Sequence, residues 1–341
     1  MTRAPGADDE RGHQVKIRLH DVENAAARLS EVSVLTPLLR SPDLDEIAGG
    51  RIFIKPECLQ LTGSFKIRGA YNMMSQLASE QAARGVVAWS SGNHAQGVAA
   101  AGSLLGIRTA IVMPQDAPQV KIENTRRLGG EPILYDRFSG DREAIAREVA
   151  AERGAELVPS YDHPDIIAGQ GTVGLEIMRQ CREIGLAPDQ VLIPCSGGGL
   201  IAGSAIAIKG MEPGTSVHSV EPESLDDTAR SLRAGQRVTN DPSARSICDA
   251  LQAATPGRLT FEINRELLSE GLVVSDAEVE DAMRFIFLNF KLVAEPGGAV
   301  ALAAVLAGKL ETKGKATVVV LSGGNVDAEL FARVQRGTVS A

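Results

Sequence analysis

Leu61-Thr62-Gly63-Ser64-Phe65-Lys66-Ile67-Arg68-Gly69-Ala70 is the stretch on which the reading of this chain turns. Thr62 to Ser64 are small or hydroxylated and let the backbone approach a ligand from one side. Phe65 offers an apolar flank, and Ile67 onward has the pattern of a helix start. Lys66 then stands where a neutral, immobilised amine can attack a carbonyl carbon. Taken alone, the same lysine also reads as a solvated charge at a helix N-terminus, since most lysines are exposed. Segments far along the chain decide between the two.

Outward from this stretch, short β-branched runs alternate with amphipathic helical stretches. The expected strands are Arg51–Lys55, Val86–Trp89, Thr109–Met113, Pro132–Tyr135, Glu156–Val158, Gln190–Pro194, Val217–Val220, Leu272–Val274 and Thr317–Leu321. Helices are expected between them, for example His94–Leu105, Gln119–Leu128, Asp141–Arg153 and Asp165–Arg182. Such alternation predicts an α/β fold with parallel sheets and helices on both faces. The 341 residues suit two domains. We expect a small mobile α/β domain at 85–158, inserted in a larger one formed by 1–75 and 163–341. In open sheets of this kind ligands bind beyond the carboxyl ends of the strands, so the loops there are the place to look.

Composition excludes several classes of function. A hydrophobic content of 44%, a charged content of 23% and a net charge of −8 describe a globular protein with no nucleic acid or anionic membrane as main partner. No run approaches the roughly 18 to 20 apolar residues that span a bilayer; Ala299–Gly308 comes nearest and reads as a buried helix. Met1–Gly12 reads as a disordered lead and not as a signal peptide, so a cytoplasmic location is expected. The four cysteines, Cys58, Cys181, Cys195 and Cys248, have no metal or disulfide spacing and read as reduced thiols.

Several loops carry chemistry. Ser90-Ser91-Gly92-Asn93-His94 follows the expected strand Val86–Trp89 and opens a helix, a ready site for a carboxylate or phosphate. Cys195-Ser196-Gly197-Gly198-Gly199-Leu200 follows Gln190–Pro194; three glycines let main-chain amides wrap a phosphate at a helix N-terminus. Gly197, Gly199, Ala202 and the later Glu221 also fit a dinucleotide fingerprint, the pattern of an NAD-dependent oxidoreductase. Ser322-Gly323-Gly324-Asn325 follows the last strand, and Glu295-Pro296-Gly297-Gly298 leads into another helix. Glu221, the carbonyl of Leu225 and Asp227 form an acidic turn that reads either as a Mg²⁺ or Ca²⁺ site or as a solvated bend.

Together these segments resemble the serine/threonine dehydratase (threonine ammonia-lyase) and serine racemase family of pyridoxal phosphate (PLP) enzymes. The resemblance runs from Thr36-Pro37-Leu38 to Ser322-Gly323-Gly324-Asn325-Val326-Asp327 and is most specific in the pair Gly63–Ala70 and Ser90–His94. It implies fold type II, two open parallel-sheet α/β domains of the tryptophan synthase β-like kind. It also implies that Lys66 carries PLP covalently, with Phe65 packed against the ring and Asn93 reaching the ring hydroxyl. Ser196, Gly197, Gly198, Gly199 and Leu200 would cradle the phosphate and Ser322 would meet the pyridine nitrogen; Glu295 is also expected at the cofactor. Ser90, Ser91, Gly92, Asn93 and His94 would bind the substrate, and Ser91 corresponds to the second acid/base of the racemases. Glu221, Leu225 and Asp227 match the family's divalent-cation site.

The reaction implied is β-elimination from L-threonine or L-serine to a 2-oxo acid and ammonia, with a serine or 3-hydroxyaspartate racemase or dehydratase as the alternative. Only about 14 residues follow Asp327, so the regulatory domain of biosynthetic threonine deaminases is not expected. A catabolic role without feedback by isoleucine is therefore expected, in a homo-oligomer, a dimer or tetramer. Two positions and one segment depart from the family pattern. Ser196 stands where many members have glycine, Cys58 where asparagine is common, and Ser246-Ile247-Cys248-Asp249-Ala250 where Thr-Ile-Ala-Asp-Gly is usual. The last lies on the expected substrate side.

Overall fold

The computed structural model describes residues 16–337 except 118, 137 and 139; the lead expected at Met1–Gly12 lies outside them. Ten strands are described: β1 (Leu39–Arg40), β2 (Arg51–Pro56), β3 (Val86–Trp89), β4 (Thr109–Pro114), β5 (Gly130–Tyr135), β6 (Glu156–Leu157), β7 (Gln190–Pro194), β8 (Ser216–Pro222), β9 (Glu270–Val274) and β10 (Ala316–Leu321). They form a six-stranded sheet in the order β1-β2-β10-β7-β8-β9 and a four-stranded sheet in the order β5-β4-β3-β6. All pairings are parallel except that of β1 with β2. The nine expected strands are present, Val86–Trp89 and Gln190–Pro194 with the expected ends and the others with ends shifted by one or two residues. β1 is an addition: two residues paired at the edge carry no periodicity that a sequence reading can detect.

Burial follows strand position. Every residue of β4, β7 and β10 is buried, as helices covering both faces require. The edge strand β5 is fully buried only at Gly130 and leaves Leu134 46% exposed. In each sheet the chain moves in opposite directions from one strand. β3 has β4 on one side and β6 on the other, and β7 lies between β10 and β8. Loops leaving two adjacent strands at such a switch diverge and open a crevice. Ser90–His94 leaves β3 and Ser196–Leu200 leaves β7, so both polar loops sit at switch points.

Two helix contacts fix the floor between the sheets. Helix Asn93–Leu105 lies against helix Lys66–Met74, where a Cβ on Gly97 would come within 3.0 Å of the Lys66 carbonyl carbon. Helix Pro164–Glu183 crosses helix Gly199–Met211 backbone to backbone. A Cβ on Gly203 would lie 2.0 Å from the Ile167 carbonyl oxygen, and one on Gly171 would lie 2.6 Å from that of Gly203. The obstructing atoms are main chain and cannot swing aside. Gly203→Ala should therefore cost about 3 kcal/mol, the upper end of ordinary overpacking. Urea denaturation measures this, and a loss below about 1 kcal/mol would mean the helices part freely.

Candidate active site

Segment 63–65 is tied to the end of β10. Ser64 bridges to Gly323, the Phe65 amide donates to the Ser322 carbonyl at 3.2 Å, and the Gly324 amide donates to the Gly63 carbonyl at 2.9 Å. Thr62 and Gly63 adopt φ of +65° and +72°, the tight turn that this approach requires. Gly298 permits the next contact, since a Cβ there would lie 2.3 Å from the Gly323 carbonyl oxygen. Lys66 is thus delivered to the floor of a cavity of about 660 Å³ beyond the carboxyl ends of β3 and β7.

The Lys66 ammonium donates to the Ser160 carbonyl at 2.9 Å and lies 5.1 Å from the centre of the Phe65 ring. Burial lowers its pKa to about 8, against a smaller opposing pull from Glu295. A neutral amine is therefore accessible near physiological pH, which attack on a carbonyl needs. Glu295 is itself pushed up to about 7 by burial, partly offset by the hydrogen bond from Asn93 Nδ2 at 2.6 Å. Asn93 Oδ1 accepts from Asn325 Nδ2 at 2.8 Å, and the same Asn325 nitrogen reaches the Thr62 carbonyl at 2.8 Å. This chain locks the Asn93 amide and closes a circuit back to the lysine segment.

The cleft candidates all line this one cavity: residues 65–66, 90–94 and 196–200, with Glu295 and Ser322. Ser90 Oγ accepts from the Gly92 amide at 3.1 Å, which shapes the turn into helix Asn93–Leu105. His94 Nε2 lies 2.9 Å from the Val158 carbonyl, which can only accept, so that nitrogen carries the proton. Burial, with Lys66 nearby, lowers the imidazole to about 3 and keeps it neutral. The glycine turn is shaped from behind. A Cβ on Gly197 would strike the Tyr161 ring at 2.4 Å, one on Gly199 would meet Gln170 Oε1 at 2.5 Å, and Gly198 sits at φ +94°. The first amides of helix Gly199–Met211 have no intrahelical acceptor, as at any helix start. Ser196, the departure from the usual glycine, accepts the Ala253 amide on its hydroxyl at 3.0 Å and so ties the turn to the loop across the cleft.

Several neighbours escape a sequence reading. Ser160, Tyr161 and Gln170 reach the cleft only because the chain leaving β6 passes beneath the glycine turn. Gln170 Nε2 donates at 3.1 Å to the Ser160 carbonyl that also takes Lys66. Asn325 carried a signal as the last residue of Ser-Gly-Gly-Asn, but its partner Asn93 lies 232 positions away. Asp249, from the divergent Ser246–Ala250 segment, accepts from Lys121 at 2.9 Å, and both residues line the cleft.

Glu221, Leu225 and Asp227 lie outside the cleft. The Glu221 carboxylate accepts the amides of Thr228 and Ala229 at 3.0 and 2.7 Å, capping helix Asp227–Ala234. That engagement removes it from any ribose, so the dinucleotide pattern of Gly197, Gly199 and Ala202 does not describe this site. Burial raises both carboxyls, Asp227 to about 7, and Asp227 Oδ2 is buried without a protein partner. An unneutralised oxygen beside a second carboxylate suits a hard cation. Burial pushes the thiols of Cys58 and Cys248 up to about 12, and all four cysteines are free and unreactive in this setting.

A phosphorylated aldehyde fits these walls, with a low-proton-affinity amine at one end and a glycine cradle on a helix N-terminus at the other. Fold and cleft define a PLP enzyme of fold type II. Consistent with this, the chain belongs to the pyridoxal-phosphate dependent enzyme family, which it matches over residues 30–324. An L-threo-3-hydroxyaspartate ammonia-lyase from a Pseudomonas species is 43% identical over 318 residues, 93% of this chain and 98% of that protein. An L-threonine ammonia-lyase from Thermotoga maritima is 43% identical over 320 residues, 93% of this chain and 78% of that protein. The structure of maize serine racemase matches with a TM-score of 0.88 at 38% identity, covering 93% of this chain and 96% of that one. No helix among the described residues is long and apolar enough to cross a membrane.

Proposed function

We propose that this chain is an ammonia-lyase for a small L-β-hydroxy amino acid, L-threonine or L-serine. The substrate loses its β-hydroxyl as water, and the resulting enamine takes up water to leave a 2-oxo acid and ammonia. Bound PLP supplies the electron sink for the bond broken at Cα. The observation that carries the reading is Lys66 itself, lowered to about 8 and sharing one cavity with the N-terminus of helix Asn93–Leu105.

In this reading Ser91, Gly92 and Asn93 direct main-chain donors at the substrate carboxylate. Lys66, once free of the cofactor, accepts the Cα proton as general base. Asn93, held by Glu295 and Asn325, orients the ring hydroxyl. Ser322, which lines the same cavity, would meet the ring nitrogen with a neutral hydroxyl and so would not supply the negative charge that a carboxylate would there. We take 85–158 as the part that closes, with the Lys121–Asp249 pair spanning the mouth and helping to exclude water.

A second reading, 3-hydroxyaspartate as substrate, is favoured by Lys121, Arg142, Arg237 and Arg258 on the cleft walls, which suit a distal carboxylate. Ser91 as an acid/base on the opposite face would add racemisation. Release of ammonia and 2-oxo acid from L-serine, L-threonine and L-threo-3-hydroxyaspartate, with chiral chromatography of the remaining amino acid, separates these readings. D-serine accumulating faster than pyruvate would sink the lyase assignment.

Glu221, the Leu225 carbonyl and Asp227 are proposed to hold Mg²⁺ or Ca²⁺, on the strength of the unpartnered Asp227 oxygen. Calcium at a hundredfold excess over its Kd should raise Tm by about 3 °C or more, and Asp227→Asn should abolish the rise. Equal melting with calcium and with chelator would rule the site out.

A further inference from the structure

Asn264 is fully buried, yet neither its Oδ1 nor its Nδ2 has a partner within the protein. A buried carboxamide with no hydrogen bond is strongly disfavoured, and native structures seldom keep one without a reason. Its position supplies one. Asn264 and Thr260 lie four residues apart on helix Arg258–Leu267, so they share a face, and that face abuts Gly198. A Cβ on Gly198 would lie 2.8 Å from Asn264 Nδ2 and 3.0 Å from Thr260 Oγ1. Thr260 already donates to the Gly197 carbonyl at 2.7 Å. Asn264 does not line the cleft: it stands behind the glycine turn.

We propose that Asn264 is a positioning residue for the phosphate arm of the cofactor. It acts through the turn, by hydrogen bonding the peptide groups around Gly198 from the side away from the cleft. The inference rests on Ser196–Leu200 being the phosphate cradle. A dianion drawn against the amides of the turn polarises the same peptide units, which strengthens their carbonyls as acceptors. The donor waiting behind them then gains its partner, and the left-handed conformation of Gly198 is held in the form that directs its amide into the cleft. Thr260 fixes the Gly197 end of the turn and Asn264 the Gly198 end. Whichever way the Asn264 amide is turned, it offers both a donor and an acceptor to this backbone.

The test compares PLP with pyridoxal, which lacks the phosphate, by absorbance titration of the full-length apoenzyme. Asn264→Leu keeps the size of the side chain and removes its polarity. PLP affinity should fall about tenfold while pyridoxal affinity stays unchanged, as expected for one hydrogen bond supporting a charged group. The apoenzyme should melt no lower than the parent, because an unpaired buried amide has been removed. If Asn264→Leu does not fold, Asn264→Ala is read in the same way. A PLP-to-pyridoxal affinity ratio within about twofold of the parent's would overturn the proposal, as would an equal loss for both ligands. Parent enzyme binding pyridoxal as tightly as PLP would instead bring down the cradle on which the proposal rests.

Discussion

Lys66→Ala is expected to lower ammonia release by more than about a thousandfold and to remove the visible absorbance of covalently held cofactor. The glycine turn is untouched by this change, so PLP should still bind, reversibly and through its phosphate. A small primary amine added to the variant should restore a fraction of the rate, because the missing function is an amine at a known place. Proton affinity adds a second signature. With Lys66 lowered to about 8, only the deprotonated amine attacks the cofactor aldehyde. Uptake of PLP by the parent apoenzyme should therefore accelerate as pH rises toward 8 and level off above it. Stopped-flow absorbance across that range measures the profile. A purified Lys66→Ala protein that kept both the visible band and the activity would end the assignment.

The largest expected loss of stability lies two residues further on. Arg68 and Glu57 are wholly buried and joined by two bonds, Nε to Oε2 at 2.7 Å and Nη2 to Oε1 at 2.9 Å. Arg68 Nη1 also reaches Glu176 at 2.6 Å, and Glu176 accepts from buried Lys55 at 2.6 Å. The four charges sum to zero. Burial alone would raise Glu57, but the Arg68 guanidinium, with help from Lys55 and the Thr36 hydroxyl, outweighs it and holds the carboxyl below its usual range. Arg68→Met strands that carboxylate in the interior and should cost about 3 to 5 kcal/mol. Adding Glu57→Met should recover much of the loss, since removing both partners leaves no uncompensated charge. Urea denaturation of the two single variants and the double variant tests this cycle. A double variant as unstable as the sum of the singles would show that the pair is not coupled. The same network anchors the helix that begins at Lys66, so this lysine stands beside a buried, multiply bonded charge cluster.

Much of the architecture was legible because it rests on local rules. Val86–Trp89 and Gln190–Pro194 were read with their observed ends, since short apolar runs closed by Ser90 or Pro194 leave little choice. The loop rule for open sheets then located Ser90–His94 and Ser196–Leu200. Other features could not be read. β1 is two residues long, and its pairing depends on the neighbouring β2 edge. Lys55, Glu57, Arg68 and Glu176 span 121 positions and look like ordinary surface charges until β2, helix Lys66–Met74 and helix Pro164–Glu183 pack together. Asn264 lies on a strongly amphipathic helix where nothing in the pattern marks it as buried.

By itself the amino-acid order determined which segments become strands, which loops carry glycine and hydroxyl groups, and which lysine is held by a tight turn. These are consequences of backbone sterics and of apolar period, both set within about ten neighbouring residues. Only the tertiary structure decided that Lys66 loses its solvent and part of its proton affinity, that Asn93 is gripped by Glu295 and Asn325, and that Asn264 stands behind the glycine turn. Desolvation and hydrogen bonding depend on what surrounds a group in space, and here those surroundings come from residues up to 232 positions away.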